Sequence, residues 1–415
     1  MITGFKDRKY ALVGNIPSRA FSTRLHGMIA DYEYTYVETK DETALAGLLK
    51  DESYSGYTVT YPFKRTVIQY LDELSEEARR CGAVNTVVRR DGRLFGCNTD
   101  YSAFLSLLHN NRIDPSGKKV IVLGSGATCG AVARALADEG ADEVVVISRC
   151  GENNYSSLDM HDDAAIIVNT TPVGQTPDVA ATPIILYGFN QLETVIDVIY
   201  DPFRTELLLR AEQNGIGAVG GYEMLLYHTK ATCELFTGRR VTDLSMMRAG
   251  ASFEAEIKNI VLVGMPGCGK SVIAEELGRA LERPVHDTDK EVRHAEGLEI
   301  PEIYELFGED RFRRREEEVI RNAARGSGAV IACGAGAILR EENIKELRRK
   351  STVIFLRREA DSIDSPKFAG EGGEALMRIY TERIPLYLAA SDLIIDVAGT
   401  PKDTVRAIVR ALYKK

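Results

Sequence analysis

The sequence contains no apolar run long enough to cross a membrane, and its opening, MITGFKDRKYALVGN, is broken by charges before a signal-type apolar core can form. No membrane partner is expected, and a cytoplasmic protein is. The seven cysteines, Cys81, Cys97, Cys129, Cys150, Cys233, Cys268 and Cys333, show no paired spacing of a metal site or disulfide framework. They are expected to be reduced packing residues. Basic residues are in deficit, giving a net charge of -9, and an acidic surface repels a phosphate backbone, which argues against a nucleic-acid partner. Small anions in local basic pockets stay open. There is no internal repeat and no low-complexity tract. What is present is 415 residues, 44% hydrophobic and 27% charged, the composition of a globular protein of two or three domains at ~150 residues each.

Strands and helices alternate along the chain, which favours parallel sheets with helices on both faces. KYALVG, KKVIVLG, DEVVVISR, AAIIVNTT and ETVIDVIY read as buried strands of a first α/β series. A second series begins at KNIVLVG and continues with GAVIACG, STVIFLRR and DLIIDVAG, with a helix over Val272 to Leu281. Between the series, RAGASFEAE is small and polar, so a linker is expected over 251–256.

Two glycine loops stand out. VLGSGATCGAVARAL, Val122 to Leu136, follows a strand and opens a helix, the setting of a dinucleotide site. Gly124, Ser125, Gly126, Ala127 and Thr128 would approach a pyrophosphate, although Cys129 stands where the third glycine is expected and Gly130 comes one later. Alone, this is also how a tight turn looks. The next strand ends in Ser148 and Arg149, where an acidic residue would hold the 2′-hydroxyl of NAD; a cation there suits the 2′-phosphate of NADP. The second loop, GMPGCGKS, satisfies G-x-x-x-x-G-K-[ST]. Gly264, Gly267, Cys268 and Gly269 would supply the phosphate cradle for ATP, Lys270 would reach the β- and γ-phosphates, and Ser271 would ligate Mg²⁺.

Further motifs give the first loop a context. TVTYPFK (Thr58 to Lys64), GAVNT (Gly82 to Thr86), FGCNTD (Phe95 to Asp100), NTTPVG, IDVIYDPFRTELL and GGYEML appear in an order that resembles shikimate dehydrogenase over residues 1 to about 250. The resemblance implies a substrate-binding domain over 1–100 completed by 221–250, a Rossmann NADP domain over 101–220, and NADPH-dependent reduction of 3-dehydroshikimate to shikimate. It also implies that Lys64 and Asp100 form the catalytic pair and that Ser22, Thr60, Asn85, Tyr200 and His228 contact substrate. Three positions depart from the family pattern: Ala20 replaces one of two serines, with Ser18 and Arg19 as neighbours, Thr58 replaces an asparagine, and His228 a glutamine. Quinate or a relative therefore remains an alternative substrate.

The second loop has its own context in VHDTDKEV, GEDRFRRREEEV, CGAGA and ERIPLY. Together they resemble shikimate kinase over 257–415, a P-loop domain like the nucleoside monophosphate kinases. The resemblance implies phosphorylation of shikimate by ATP. Asp287 would assist Mg²⁺, Asp289 the acceptor hydroxyl, Arg313 and Arg383 the substrate carboxylate, and Gly334 and Gly336 a substrate-facing turn. If the segment around Asp287 and Asp289 is extended, the two carboxylates share a face. Ala335 replaces the middle glycine of the turn. In Asp361 to Gly373, where the family has a lid, Ser365 stands where an arginine usually precedes the proline, here Pro366, and Lys367 is the nearest cation. The alternative implied is a kinase-like half that is weakly active or only binds ligand.

Overall fold

Three parallel or largely parallel sheets organise the chain in the computed structural model, which describes residues 1–15, 21–363 and 372–413, with side chains omitted for 372–375. The chain divides into two compact units, Met1–Phe253 and Glu254–Lys415. No helix among the described residues is long and apolar enough to cross a membrane.

The first sheet holds β1 (Lys9–Gly14), β2 (Glu33–Glu38), β3 (Tyr54–Val59), β4 (Glu73–Leu74), β5 (Thr86–Arg90) and β6 (Arg93–Cys97), in the order β2-β1-β3-β5-β6-β4. β5 runs antiparallel to both β3 and β6, and the other pairings are parallel. The second sheet, β7 (Lys119–Leu123), β8 (Glu143–Ile147), β9 (Ile166–Asn169), β10 (Thr194–Asp197) and β11 (Gly217–Gly220), is parallel throughout in the order β8-β7-β9-β10-β11.

The second unit contains β12 (Asn259–Val263), β13 (Val285–Asp287), β14 (Val330–Ala332), β15 (Ser351–Arg357) and β16 (Leu393–Asp396), a parallel sheet in the order β13-β14-β12-β15-β16. In both parallel sheets the glycine loop leaves the strand where the chain's crossovers change direction, β7 and β12, and crevices for ligands open at such points.

Side-chain alternation explains why these strands are continuous apolar runs. In β7, Val120 and Val122 enter one core cluster while Ile121 and Leu123 enter another on the opposite face. β12 repeats this, with Ile260 and Leu262 on one side and Val261 and Val263 on the other. A strand covered by helices on both faces has no solvent side to keep polar. Each such side chain contributes about 1.5–3 kcal/mol by leaving water.

Two expectations need correction. The stretch 251–256 is helical, lying within the helix Asp243–Ile257; the unit division does fall inside it, between Phe253 and Glu254. Phe253 is fully buried and packs edge-on against Phe21, so this segment of small residues is held by an aromatic anchor. Six of the cysteines are buried, but Cys150 is exposed and is not a packing residue.

Candidate active sites

In the first unit, Lys64 lies in the segment after β3, and its ammonium reaches Asp100 and the helix that follows β7. Its base is firm: Phe63 is buried, and the carbonyl of Lys64 accepts from the amide of Val84 at 2.7 Å. Lys64 Nζ donates to Asp100 Oδ2 at 2.6 Å and lies 3.4 Å from Thr128 Oγ1. Asp100 sits in the first turn of the helix Thr99–Asn110, whose N-cap Asn98 accepts from the amides of Asp100 and Tyr101. Burial is the largest influence on Asp100 and opposes its ionisation, but the charge and hydrogen bond of Lys64, with smaller contributions that include Asn85, together keep the carboxyl below its ordinary range.

The protonation of His228 follows from its neighbours. The amide of Thr99 donates to Asn85 Oδ1 at 2.9 Å, which fixes the oxygen side of the Asn85 amide. Asn85 Nδ2 therefore faces His228 Nδ1, at 3.4 Å, as a donor. If Nδ1 accepts from Asn85 the ring proton resides on Nε2, whereas if it donates to Thr99 Oγ1, whose own hydroxyl donates to Asn85 Oδ1 at 3.1 Å, the proton resides on Nδ1. Thr99 Oγ1 lies 2.6 Å from the same Nδ1. Burial drives the His228 pKa down to about 4, further than the opposing pull of Asp100 can restore, so the ring is neutral at physiological pH.

Ser22 is buried at the start of the helix Phe21–Ile29, and the half-buried ring of Tyr200 tilts against Phe21 at 5.7 Å. The buried hydroxyls of Tyr34 and Thr58 face one another, with Ser22 alongside. Thr60 follows β3 at a place where a side chain on Gly14 would come within 2.3 Å of its methyl.

The glycine loop after β7 has the geometry of an anion cradle. Gly124 has φ +100°, and a Cβ there would meet Thr171 at 2.9 Å. The helix Ala127–Asp138 begins at Gly126 without a side-chain cap, leaving its first N–H groups available to a pyrophosphate. Gly130 does the close packing expected one position earlier, since a Cβ there would fall 2.6 Å from the carbonyl of Cys81. Ser148 is buried, and Arg149 is exposed with no ion-pair partner among the described residues. This set fits a dinucleotide bearing a third phosphate.

In the second unit, the loop Gly264 to Gly269 precedes the helix Lys270–Leu281, again without a side-chain cap. Gly264, Gly267 and Gly269 have φ of +155°, +78° and +98°, a run that L side chains resist. Cys268 is fully buried beneath the loop. Lys270 Nζ bonds the carbonyls of Gly264 and Met265 at 2.8 and 3.0 Å.

Asp287 and Asp289 are not on one extended face. Asp287 ends β13 and caps the helix Thr288–Glu296, its Oδ1 accepting from Lys290 N, and Asp289 lies in the first helical turn. The cap turns the chain before two extended residues can follow. Asp287 Oδ2 is buried with no partner among the described residues, and Asp287 and Ser271 line one cleft. Among the described residues no cluster of three or more His, Cys, Asp or Glu forms a metal cage. The orphaned Asp287 Oδ2 and the Ser271 hydroxyl beside it would fit Mg²⁺, which takes one or two protein oxygens and completes its shell with phosphates and water.

The turn Cys333 to Ala337 gathers the rest. A Cβ on Gly334 would fall 2.3 Å from Asp289 Oδ1, and one on Gly336 2.4 Å from Arg313 Nη1. The carbonyl of Ala335 accepts from Arg383 Nη1 at 3.3 Å and from the Tyr387 hydroxyl at 2.8 Å. Ala335 lies outside the left-handed region, so alanine is tolerated there. Arg313 Nη1 bonds Glu316 at 2.7 Å, and its Nε and Nη2 share one oxygen of Glu309. Glu316 is 1% exposed with Oε1 unpartnered among the described residues; burial raises its carboxyl, Asp289 adds to that, and Arg313 opposes it.

Comparison with known proteins bears on both units. The chain is 36% identical over 218 residues to the NADP(+) shikimate dehydrogenase of Moorella thermoacetica, covering 47% of this chain and 74% of that one. It is 34% identical over 255 residues to that of Bacillus mycoides, covering 55% and 92%. Residues 17–87 match the shikimate dehydrogenase substrate binding domain. The chain belongs to the shikimate dehydrogenase family. The crystal structure of shikimate 5-dehydrogenase from Thermus thermophilus in complex with NADP(H) and shikimate superposes with a TM-score of 0.54 at 30% identity, covering 59% of this chain and 99% of that one. Residues 266–413 match the shikimate kinase family, so this chain joins a shikimate dehydrogenase to a shikimate kinase domain.

Within the dehydrogenase, Lys64, Asp100, Asn85, His228 and Thr128 meet directly, while Ser22 and Tyr200 lie beside Tyr34 and Phe21, and Thr60 beside Gly14. Ala20, Ser18 and Arg19 lie outside the described residues, as do Ser365, Pro366 and Lys367 of the kinase lid segment. Thr99, Tyr34 and Glu316 belong to the two sites without having been singled out in the sequence. Glu316 follows Arg313 by one helical turn, which was the available signal. Arg314 is exposed and Arg315 pairs with Glu296 and Glu318, both serving the helix surface.

Proposed function

We propose that the dehydrogenase half reduces 3-dehydroshikimate with Lys64 and Asp100 as its catalytic pair, and that the kinase half then phosphorylates the shikimate formed. The observation that carries the first step is the Lys64–Asp100 contact at 2.6 Å between two side chains only 17% and 9% exposed. NADPH, when bound, supplies the hydride. The ammonium of Lys64 gives its proton to the carbonyl oxygen on which negative charge builds. Asp100 keeps that ammonium in place, and His228 Nε2–H donates to a substrate oxygen. The hydroxyls of Tyr34 and Thr58 suit the ring hydroxyls or carboxylate. Arg149 holds the 2′-phosphate, which favours NADPH over NADH.

In the kinase half, Arg313 and Arg383 take the substrate carboxylate, as planar guanidiniums can with paired hydrogen bonds. Glu309, 63% exposed, now holds the Nε and Nη2 edge of Arg313, the edge a substrate carboxylate would take over. Asp289 accepts the proton of the 3-hydroxyl as its oxygen bonds to the γ-phosphorus and ADP leaves. Lys270 stabilises the phosphates, and Ser271 and Asp287 hold Mg²⁺ directly or through water. A kinase half that merely binds ligand is not favoured, because the convergent set Asp289, Arg313, Arg383 and Lys270 is present together with the family match. Quinate is likewise not favoured over shikimate. One preparation assayed for NADP⁺ reduction with shikimate, and for ADP release with shikimate and ATP, tests the reading; failure of either rate to depend on shikimate removes that half of it.

A further inference from the structure

Arg65 directly follows the catalytic lysine, yet its guanidinium reaches the glycine loop of the dinucleotide domain. Its Nη2 donates to the carbonyl oxygens of Ser125 at 3.0 Å and Gly126 at 3.3 Å. Across a planar trans peptide the carbonyl and the next N–H point in opposite directions. Holding these two oxygens therefore fixes the direction of the N–H groups of Gly126 and Ala127, two of the donors the cradle would present to an anion. The grip has a firm base, because the carbonyl of Lys64 is bonded to Val84 and Phe63 is buried. Lys64 itself meets Thr128 at 3.4 Å, so two successive side chains join the catalytic segment to one loop. The charge of Arg65 also extends to Cys129, where it opposes the burial that raises the thiol to about 11.

We propose that Arg65 is a positioning residue for the dinucleotide: it sets the glycine loop for the pyrophosphate and places a cation beside it, serving NADPH and NADH alike. The inference rests on the dehydrogenase reading above. It differs from the role given to Arg149, since the pyrophosphate is common to both dinucleotides and the 2′-phosphate is not.

The test is fluorescence titration of NADPH and of NADH into the full chain, without substrate, for the wild type, Arg65→Ala and Arg65→Lys. Loss of charge-assisted contacts should raise both dissociation constants of Arg65→Ala by a common factor of about tenfold. Arg65→Lys, which keeps the charge and a donor, should recover part of the loss. The turnover of Arg65→Ala at saturating NADPH should change far less than its KM for NADPH, and unchanged melting would show the fold intact. Unaltered dissociation constants, a loss confined to NADPH, or a loss confined to turnover would each overturn the proposal. A wild type that binds neither dinucleotide would overturn the dehydrogenase reading and this inference with it.

Discussion

Lys64 Nζ and Asp100 Oδ2 lie 2.6 Å apart although they come from different elements 36 residues apart in sequence. An ammonium and a carboxylate held this way, only 17% and 9% exposed, are the pair we propose acts on the substrate carbonyl. Replacing Lys64 with alanine removes the proposed proton donor and leaves Asp100 buried without its main counter-charge. The expected result is a loss of ~10² or more in the rate of NADP⁺ reduction with shikimate, with ADP release by the kinase half unchanged. An unaltered reduction rate would remove Lys64 from the chemistry.

Arg149 is exposed at the end of β8 with no ion-pair partner among the described residues, which leaves its charge for a phosphate. Arg149→Ala should raise KM for NADPH by about tenfold or more and leave KM for NADH nearly unchanged. Steady-state kinetics with each dinucleotide decide it. Equal losses would contradict the role.

Gly334 of the kinase turn is a steric requirement, because a Cβ would fall 2.3 Å from Asp289 Oδ1. Gly334→Ala should displace Asp289 and reduce shikimate-dependent ADP release by at least about tenfold, on the expectation that small misplacements at a reacting centre are costly. NADP⁺ reduction should be untouched. A fully active variant would show that Asp289 need not stand against this turn.

His228, its side chain only 13% exposed, is neutral with its pKa pushed down to about 4 by burial, and fully buried His26 is also held well below the ordinary 6.5 by burial. The unfolded chain binds more protons than the folded one between those values, so stability must fall as pH drops from about 6.5 towards 4. His228→Gln should flatten this dependence of the melting temperature while His26 keeps part of it. Identical pH profiles for variant and wild type would mean that His228 is not buried as a neutral ring.

The parallel strands were legible in the sequence because each must be apolar on both faces, as VIVL in β7 and NIVLV in β12 are. The two glycine loops were legible because their chemistry tolerates few other residues. The pairing of Lys64 with Asp100 came from family resemblance rather than spacing, since nothing local links positions so far apart. Thr99, Tyr34 and Arg65 escaped notice because a hydroxyl or an exposed arginine acquires its meaning only from the partner folding brings near. The helix over 251–256 was hidden for a different reason: small residues that read as a linker also fit a helix once Phe253 is anchored.

The most direct measurement incubates one purified preparation with 3-dehydroshikimate, NADPH, ATP and Mg²⁺, and follows NADPH absorbance, ADP release and phosphorus-31 resonance together. The account predicts NADPH oxidation, with ADP release and a new phosphomonoester signal that both vanish when NADPH is omitted. NADPH oxidation with no phosphomonoester, or ADP release that continues undiminished without NADPH, would contradict it.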